Sequence, residues 1–239
     1  MIGVSALVGA ALVGSVRDSA PVTVPVPVVT DQVQAGPLLD RTGAWLTVGD
    51  AASRVRVRTA SLPGLLYRVS AGPDSGVAPV VTRRGGRVAV RLRATDGDGL
   101  DEVVIVLNRD VRWDIRLPAG AGEQQVNLRG GRVSRVELGA SGLAEVWLPA
   151  PDGTVPVTFA GGVGTAVVTA GTTAPFRIRL DRGAGAVVTP WVVNNGTPAG
   201  AVLQEGGWRR AADRYEVRAA AGMGSVLLRR NGPARPRTR

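Results

Sequence analysis

The stretch Ile115-Arg-Leu-Pro-Ala-Gly-Ala-Gly-Glu-Gln-Gln-Val-Asn-Leu128 sets two apolar alternations, Ile115/Leu117 and Val126/Leu128, around a small residue, a spacer and a glycine. The mark at its centre, Gly120-Ala-Gly122, returns as Ala140-Ser-Gly142, Gly162-Val-Gly164, Gly183-Ala-Gly185 and Gly222-Met-Gly224. Counted on the second glycine, the steps are 20, 22 and 21 residues and then 39, close to two more steps. Alternating aliphatics flank most marks, as at Val136/Leu138 and Val146/Leu148, or Ile178/Leu180 and Val187. A fixed period near 21 with strand, glycine corner and strand inside each unit predicts a stacked β-solenoid. Gly122, Gly142, Gly164, Gly185 and Gly224 are the expected structural turns, because glycine accepts φ > 0 and lets one coil lie close on the next.

Composition agrees with an all-β class. Aromatics are few among 239 residues, so Val, Leu, Ala and Ile must build the core, with Gly and Pro as punctuation. No helical period is evident after residue 16. Further strands are expected where Val55 and Val57 alternate with Arg54, Arg56 and Arg58, and where Val88, Val90 and Leu92 alternate with Arg87, Arg91 and Arg93. Those alternations put aliphatics on one face and arginines on the other.

The chain contains no His, Cys or Lys; all 29 basic residues are Arg. That removes Ser-His-Asp and Cys-His catalysis, His/Cys zinc sites, Schiff bases and the Walker lysine. No catalytic residue, metal site or cofactor is therefore expected, and the chain reads as a non-enzyme. The acidic run Asp96-Gly-Asp-Gly-Leu-Asp-Glu102 has hard oxygens suited to Ca²⁺ but no glutamate at the twelfth loop position, and is read as a turn.

The net charge of +10 is concentrated late: residues 121–239 hold 15 Arg against 8 acids. Residues 231–239 read as a basic, disordered tail. Arg229, Arg230, Arg235, Arg237 and Arg239 are expected as contacts for anionic lipid or wall polymer. At the other end, residues 1–16 carry the uncharged run Ile2–Val16, whose length suits a signal or anchor segment. Residues 17–43 follow as a Pro-rich linker, because Pro21, Pro25, Pro27 and Pro37 break strand ladders. The solenoid is then expected over residues 44–230. Trp191 and Trp208 bracket the interruption of the repeat and are the expected sites for ligand stacking.

Four segments at this spacing carry a resemblance: Trp113–Leu128, Val133–Pro149, Gly161-Gly-Val-Gly164-Thr-Ala-Val-Val, and Phe176-Arg-Ile-Arg-Leu-Asp-Arg-Gly-Ala-Gly185-Ala-Val-Val. Together they resemble the toast-rack domain of bacterial cell-envelope proteins, also called the putative-adhesin or Lia-type cell-wall-stress domain, over residues 103–230. The resemblance implies a right-handed, single-chain β-solenoid and a place beside the membrane or outside the cell. It implies work through protein contacts in envelope stress sensing or adhesion, and supplies no catalytic residues. The expected partners are envelope proteins or an anionic wall or lipid surface, with self-association through the solenoid ends and no specific nucleic acid. A carbohydrate-binding or polysaccharide-processing β-helix is the alternative.

Overall fold

Residues 32–230, described by a computed structural model, form nineteen strands in two sheets, with no helix among them. The first third holds β1 (Val33–Pro37), β2 (Gly43–Val48), β3 (Ala52–Ala60), β4 (Leu65–Ala71), β5 (Val77–Arg84), β6 (Arg87–Ala94) and β7 (Glu102–Asn108). The middle holds β8 (Arg112–Leu117), β9 (Ala121–Asn127), β10 (Arg132–Leu138), β11 (Ser141–Leu148), β12 (Thr154–Phe159) and β13 (Val163–Ala170). The last part holds β14 (Phe176–Leu180), β15 (Ala184–Val188), β16 (Val193–Thr197), β17 (Ala201–Gln204), β18 (Arg214–Ala219) and β19 (Met223–Arg230).

Seven consecutive strand pairs each give one strand to each sheet: β2–β3, β6–β7, β8–β9, β10–β11, β12–β13, β14–β15 and β18–β19. Within a sheet their ladders are parallel and in register, so like residues stack. In one sheet Ile115, Val136, Val157, Val217 and Ile178 form one continuous buried row; in the other, Val57, Val126, Val146, Val168 and Leu228 do the same. The core lies between these rows. Trp113, Phe159, Phe176 and Tyr215 are its largest fully buried side chains. Buried β-branched rows suit parallel ladders, whose inner face never meets water.

The stack does not follow chain order at either end, which corrects the reading of the 39-residue step as two more coils. The sheet orders are β1-β4-β7-β3-β9-β11-β13-β19-β15-β16 and β17-β14-β18-β12-β10-β8-β2-β6-β5. The chain's last coil, β18–β19, is inserted between β12–β13 and β14–β15. Its first coil, β2–β3, is likewise covered by β6–β7. Residues between Val188 and Arg214 add the antiparallel strands β16 and β17 at one end; β1, β4 and β5 do so at the other. These antiparallel strands cover what would otherwise be bare parallel edges.

Strand β1 also falls inside the stretch expected as linker. Residues Val33–Gly36 lack proline, and Pro37 ends the strand at a register shift on the sheet edge, where a missing N–H is tolerated. The Gln34 amide ties β1 to β5, donating to Pro79 O at 2.8 Å and accepting from Val81 N at 2.9 Å. The apolar run Ile2–Val16, the first part of the linker and the tail beyond Arg230 lie outside the described residues. Among the described residues no helix is long and apolar enough to cross a membrane.

Candidate functional site

The five glycine marks form one column at the starts of strands β9, β11, β13, β19 and β15 of the larger sheet, in the order Gly122, Gly142, Gly164, Gly224, Gly185. None has φ > 0; in the marks that property belongs to Gly120 and Gly183, at +78° and +79°. The column needs glycine for close approach. A Cβ on Gly164 would lie 2.6 Å from Gly142 O, and one on Gly185 2.6 Å from Gly224 O.

Trp208 and Arg230, expected at a ligand site, are instead parts of the end cap. Trp208 is 5% exposed, donates from Nε1 to Tyr215 O at 2.8 Å, and lies under the guanidinium groups of Arg177 and Arg214. Arg230 reaches across to Glu205 Oε2 at 2.5 Å and donates to Ala174 O at 3.0 Å and to Thr172 O. Glu205 also accepts from Phe176 N at 3.1 Å, and the Phe176 ring stacks on Tyr215 with centroids 4.4 Å apart. Trp208 and Arg230 are thus satisfied internally. Trp191 is half-buried and packs against the core; Arg229 is exposed; Arg235, Arg237 and Arg239 lie outside the described residues.

Truncation after Arg230 is therefore expected to leave the melting temperature unchanged. Truncation after Leu228, which removes the Arg230 bridge, is expected to lower it. Equal melting of the two truncations would show that the bridge contributes nothing to the cap.

Of the five tryptophans only Trp45 is exposed, at 45%. Ala44, Leu46 and Val48 of β2 point into the core, so Trp45 and Thr47 stand on the outer face of the smaller sheet. Its neighbour across β6 is Arg87, whose guanidinium lies 5.4 Å from the indole centroid. The tip between β5 and β6, Arg83-Arg84-Gly-Gly-Arg87, packs beside it; Trp45 N donates to Gly86 O at 2.9 Å. Arg83 donates to Gly85 O at 3.0 Å and to Pro37 O of β1, so it ties the tip to the other sheet from the inner side, away from Trp45. Arg41 reaches the same tip, its Nη1 3.6 Å from where a Cβ on Gly86 would stand. None of Arg41, Arg84 and Arg87 pairs with a carboxylate among the described residues, whereas most arginines further along this face do.

Shallow grooves flank the indole on both sides. One, of about 350 Å³, is walled by Trp45, Arg112, Asp114 and Arg132; the other, of about 380 Å³, by Trp45, Thr47, Arg87 and Arg116. Alternation in β2, with Ala44 and Leu46 buried, is enough to turn Trp45 outward. The acidic run at Asp96–Glu102 links β6 to β7 across the two sheets and packs on the loop before β5, where Gly99 N donates to Asp74 O at 2.6 Å.

Hydrogen bonds from Arg218 at 2.7 Å and Arg179 at 2.8 Å hold the Asp181 carboxyl below its usual range. Burial raises both phenols of the chain, Tyr67 against an opposing effect of Arg83 and Tyr215 against those of Thr172 and Arg230. A folded value above the unfolded one means each phenol favours the fold below pH ~10, and that contribution is lost as pH rises through the folded value. In an alkaline absorbance titration, the native protein should show phenolate only above the pH at which the denaturant-unfolded chain does. Coincident curves would show that neither ring is shielded.

This geometry defines a class: two facing sheets of mostly parallel, in-register strands, closed at both ends by antiparallel ones. No protein-family model and no curated protein matches the chain. Among solved structures it is similar to a putative cell adhesion protein from Clostridium sporogenes, with a TM-score of 0.66 at 15% identity, over 84% of this chain and 98% of that one. A putative adhesin from Bacteroides fragilis is reached at 7% identity over 83% and 98% of the chains, with a TM-score of only 0.28. The all-β, two-sheet fold is shared with the Clostridium protein.

Proposed function

We propose that this chain is a non-enzymatic, adhesion-like interaction domain of the cell envelope, built as a right-handed β-solenoid and held outside the cytoplasm by its apolar N-terminal run. The observation that carries the reading is the shared fold with a protein described as a cell adhesion protein, across nearly the whole of that protein. Chemistry supports it: a chain without His, Cys or Lys leaves only carboxylates, tyrosines and arginines for acid–base work. Its sheets offer long, flat, charged outer faces, a form suited to contact with extended surfaces. Partners on this reading are envelope proteins or anionic wall or lipid surfaces. Stress sensing would then follow from such contacts.

The test is co-sedimentation of the full chain with bacterial envelope fractions across a salt series. Binding is expected and should weaken with salt, because the reach of exposed charge falls to ~8 Å at physiological ionic strength. Absence of binding at any salt, or hydrolysis of a wall polysaccharide abolished by one Asp or Glu substitution, would overturn the reading.

A further inference from the structure

We infer that Trp45 and the arginines around it form a binding site for an anionic polysaccharide, lying across the outer face of the smaller sheet. The inference rests on the adhesion-like reading above and names the ligand class and its place. Three observations converge on it. An indole exposed on a flat sheet face offers an apolar plane to one sugar ring. Three guanidinium groups, Arg41, Arg84 and Arg87, gather beside it with no carboxylate partner among the described residues. Open grooves continue on both sides of the ring, toward Arg116 on one and Arg112 and Arg132 on the other.

Extent favours a chain over a single sugar. From Arg87 to Arg132 the patch crosses β6, β2, β8 and β10, adjacent strands that together span about 14 Å at ~4.8 Å spacing. The charge is unequal along that line. Arg112 and Arg132 share Asp152, at 3.0 and 3.8 Å, and Arg116 pairs with Asp114 at 3.0 Å, so the strongest pull on an anion is at the β5–β6 tip. A single exposed ring separates this from single-stranded nucleic acid, which is held by successive stacked bases on several aromatics. A lipid surface would need apolar side chains to insert, and Trp45 is the only large exposed one on these strands. The arginine tips keep full charge at any physiological pH, so sulfate-, uronate- or phosphate-bearing sugars meet the same chemistry.

The experiment is binding of the full chain to dextran sulfate and to polygalacturonate, with uncharged dextran and oligothymidylate alongside. The expected result is binding to at least one acidic polymer, none to dextran, and weaker binding to oligothymidylate. Trp45→Ala should weaken acidic-polymer binding about tenfold or more, as removal of a central aromatic anchor does. Trp45→Phe should restore part of it. Arg84→Gln with Arg87→Gln should weaken it similarly and flatten its salt dependence, whereas Arg209→Gln with Arg210→Gln, at the opposite end of the stack, should not. Melting curves of each variant report whether the fold persists; if Trp45→Ala unfolds, the arginine double variant decides alone. Wild-type affinity in both Trp45→Ala and the Arg84/Arg87 variant overturns the site. Oligothymidylate binding that is tighter than either acidic polymer and lost with Trp45 overturns the ligand class. Envelope binding that persists while neither acidic polymer binds sinks this inference and leaves the adhesion-like reading standing; loss of both sinks both.

Discussion

Valine at position 164 or 185 is expected to lower the melting temperature by several degrees, while Gly222→Ala leaves it unchanged. The new Cβ at either position would sit 2.6 Å from a backbone carbonyl oxygen of the adjoining coil, at Gly142 or Gly224. A flexible side chain could move aside. A carbonyl held in a parallel ladder can move only by disturbing the hydrogen bonds on both sides of it. Overpacking of this kind costs roughly 1–3 kcal/mol. In a chain of this size that corresponds to a shift of about 2–12 °C, since 1 kcal/mol is worth roughly 2–4 °C. Gly222 lies in the same turn family but has nothing within 4 Å of its Cβ position and no positive φ, so it isolates close approach from glycine content. Alanine at 164 is the intermediate case, adding the Cβ without the two further carbons. Unchanged melting in both valine variants would mean that the coils relax apart at no cost and that the column of glycines has another origin.

The same column shows how far the sequence could be read. Marks 20 and 22 residues apart are true neighbours in the stack: Gly122 lies next to Gly142 and Gly142 next to Gly164. There, local alternation and a parallel register say the same thing, because equal steps bring like residues into one row. After Gly164 the next rung is Gly224, with Gly185 beyond it. Nothing in the local pattern distinguishes these orders, since Ile178 and Val217 are equally good neighbours for Val157. The choice is made by the closure of the end, where β16 and β17 must pair antiparallel to β15 and β14. Pro190 and Pro198 announce breaks on either side of β16, whose Asn194-Asn-Gly196 reads as a loop in sequence but pairs as a strand, and neither names the layer to which the chain returns. The tryptophans divide in the same way. The outward position of Trp45 follows from its odd spacing against Ala44 and Leu46. The covering of Trp208 by Arg177 and Arg214 brings together two strands, β14 and β18, whose adjacency is itself a product of the reordered stack.

Trp208→Ala is accordingly expected to be among the most destabilising single changes in the chain, with no effect on affinity for an acidic polymer. Truncating a buried tryptophan typically costs about 3–5 kcal/mol, a drop of roughly 10 °C here by the same conversion. Three losses combine. The indole's packing goes, Tyr215 O loses the N–H at 2.8 Å, and the guanidinium groups at 3.8 and 4.3 Å from the ring centroid lose the π face beneath them. Arg214 also donates to the carbonyls of Trp208, Arg209 and Ala211, so the whole 205–213 loop is organised around this side chain. That loop precedes β18, the strand inserted between β12 and β14, and loosening it should release the end of the stack before the middle. Hydrogen exchange is the discriminating measurement: protection should fall first in β14, β17 and β18 and persist in β8 to β11. Binding is the second arm, because Trp45 lies on β2, five strands from β14 in the same sheet. If Trp208→Ala keeps wild-type melting but loses the polymer, the stacking role belongs to the end cap after all; if it melts early and still binds when folded, the two tryptophans divide structure from recognition.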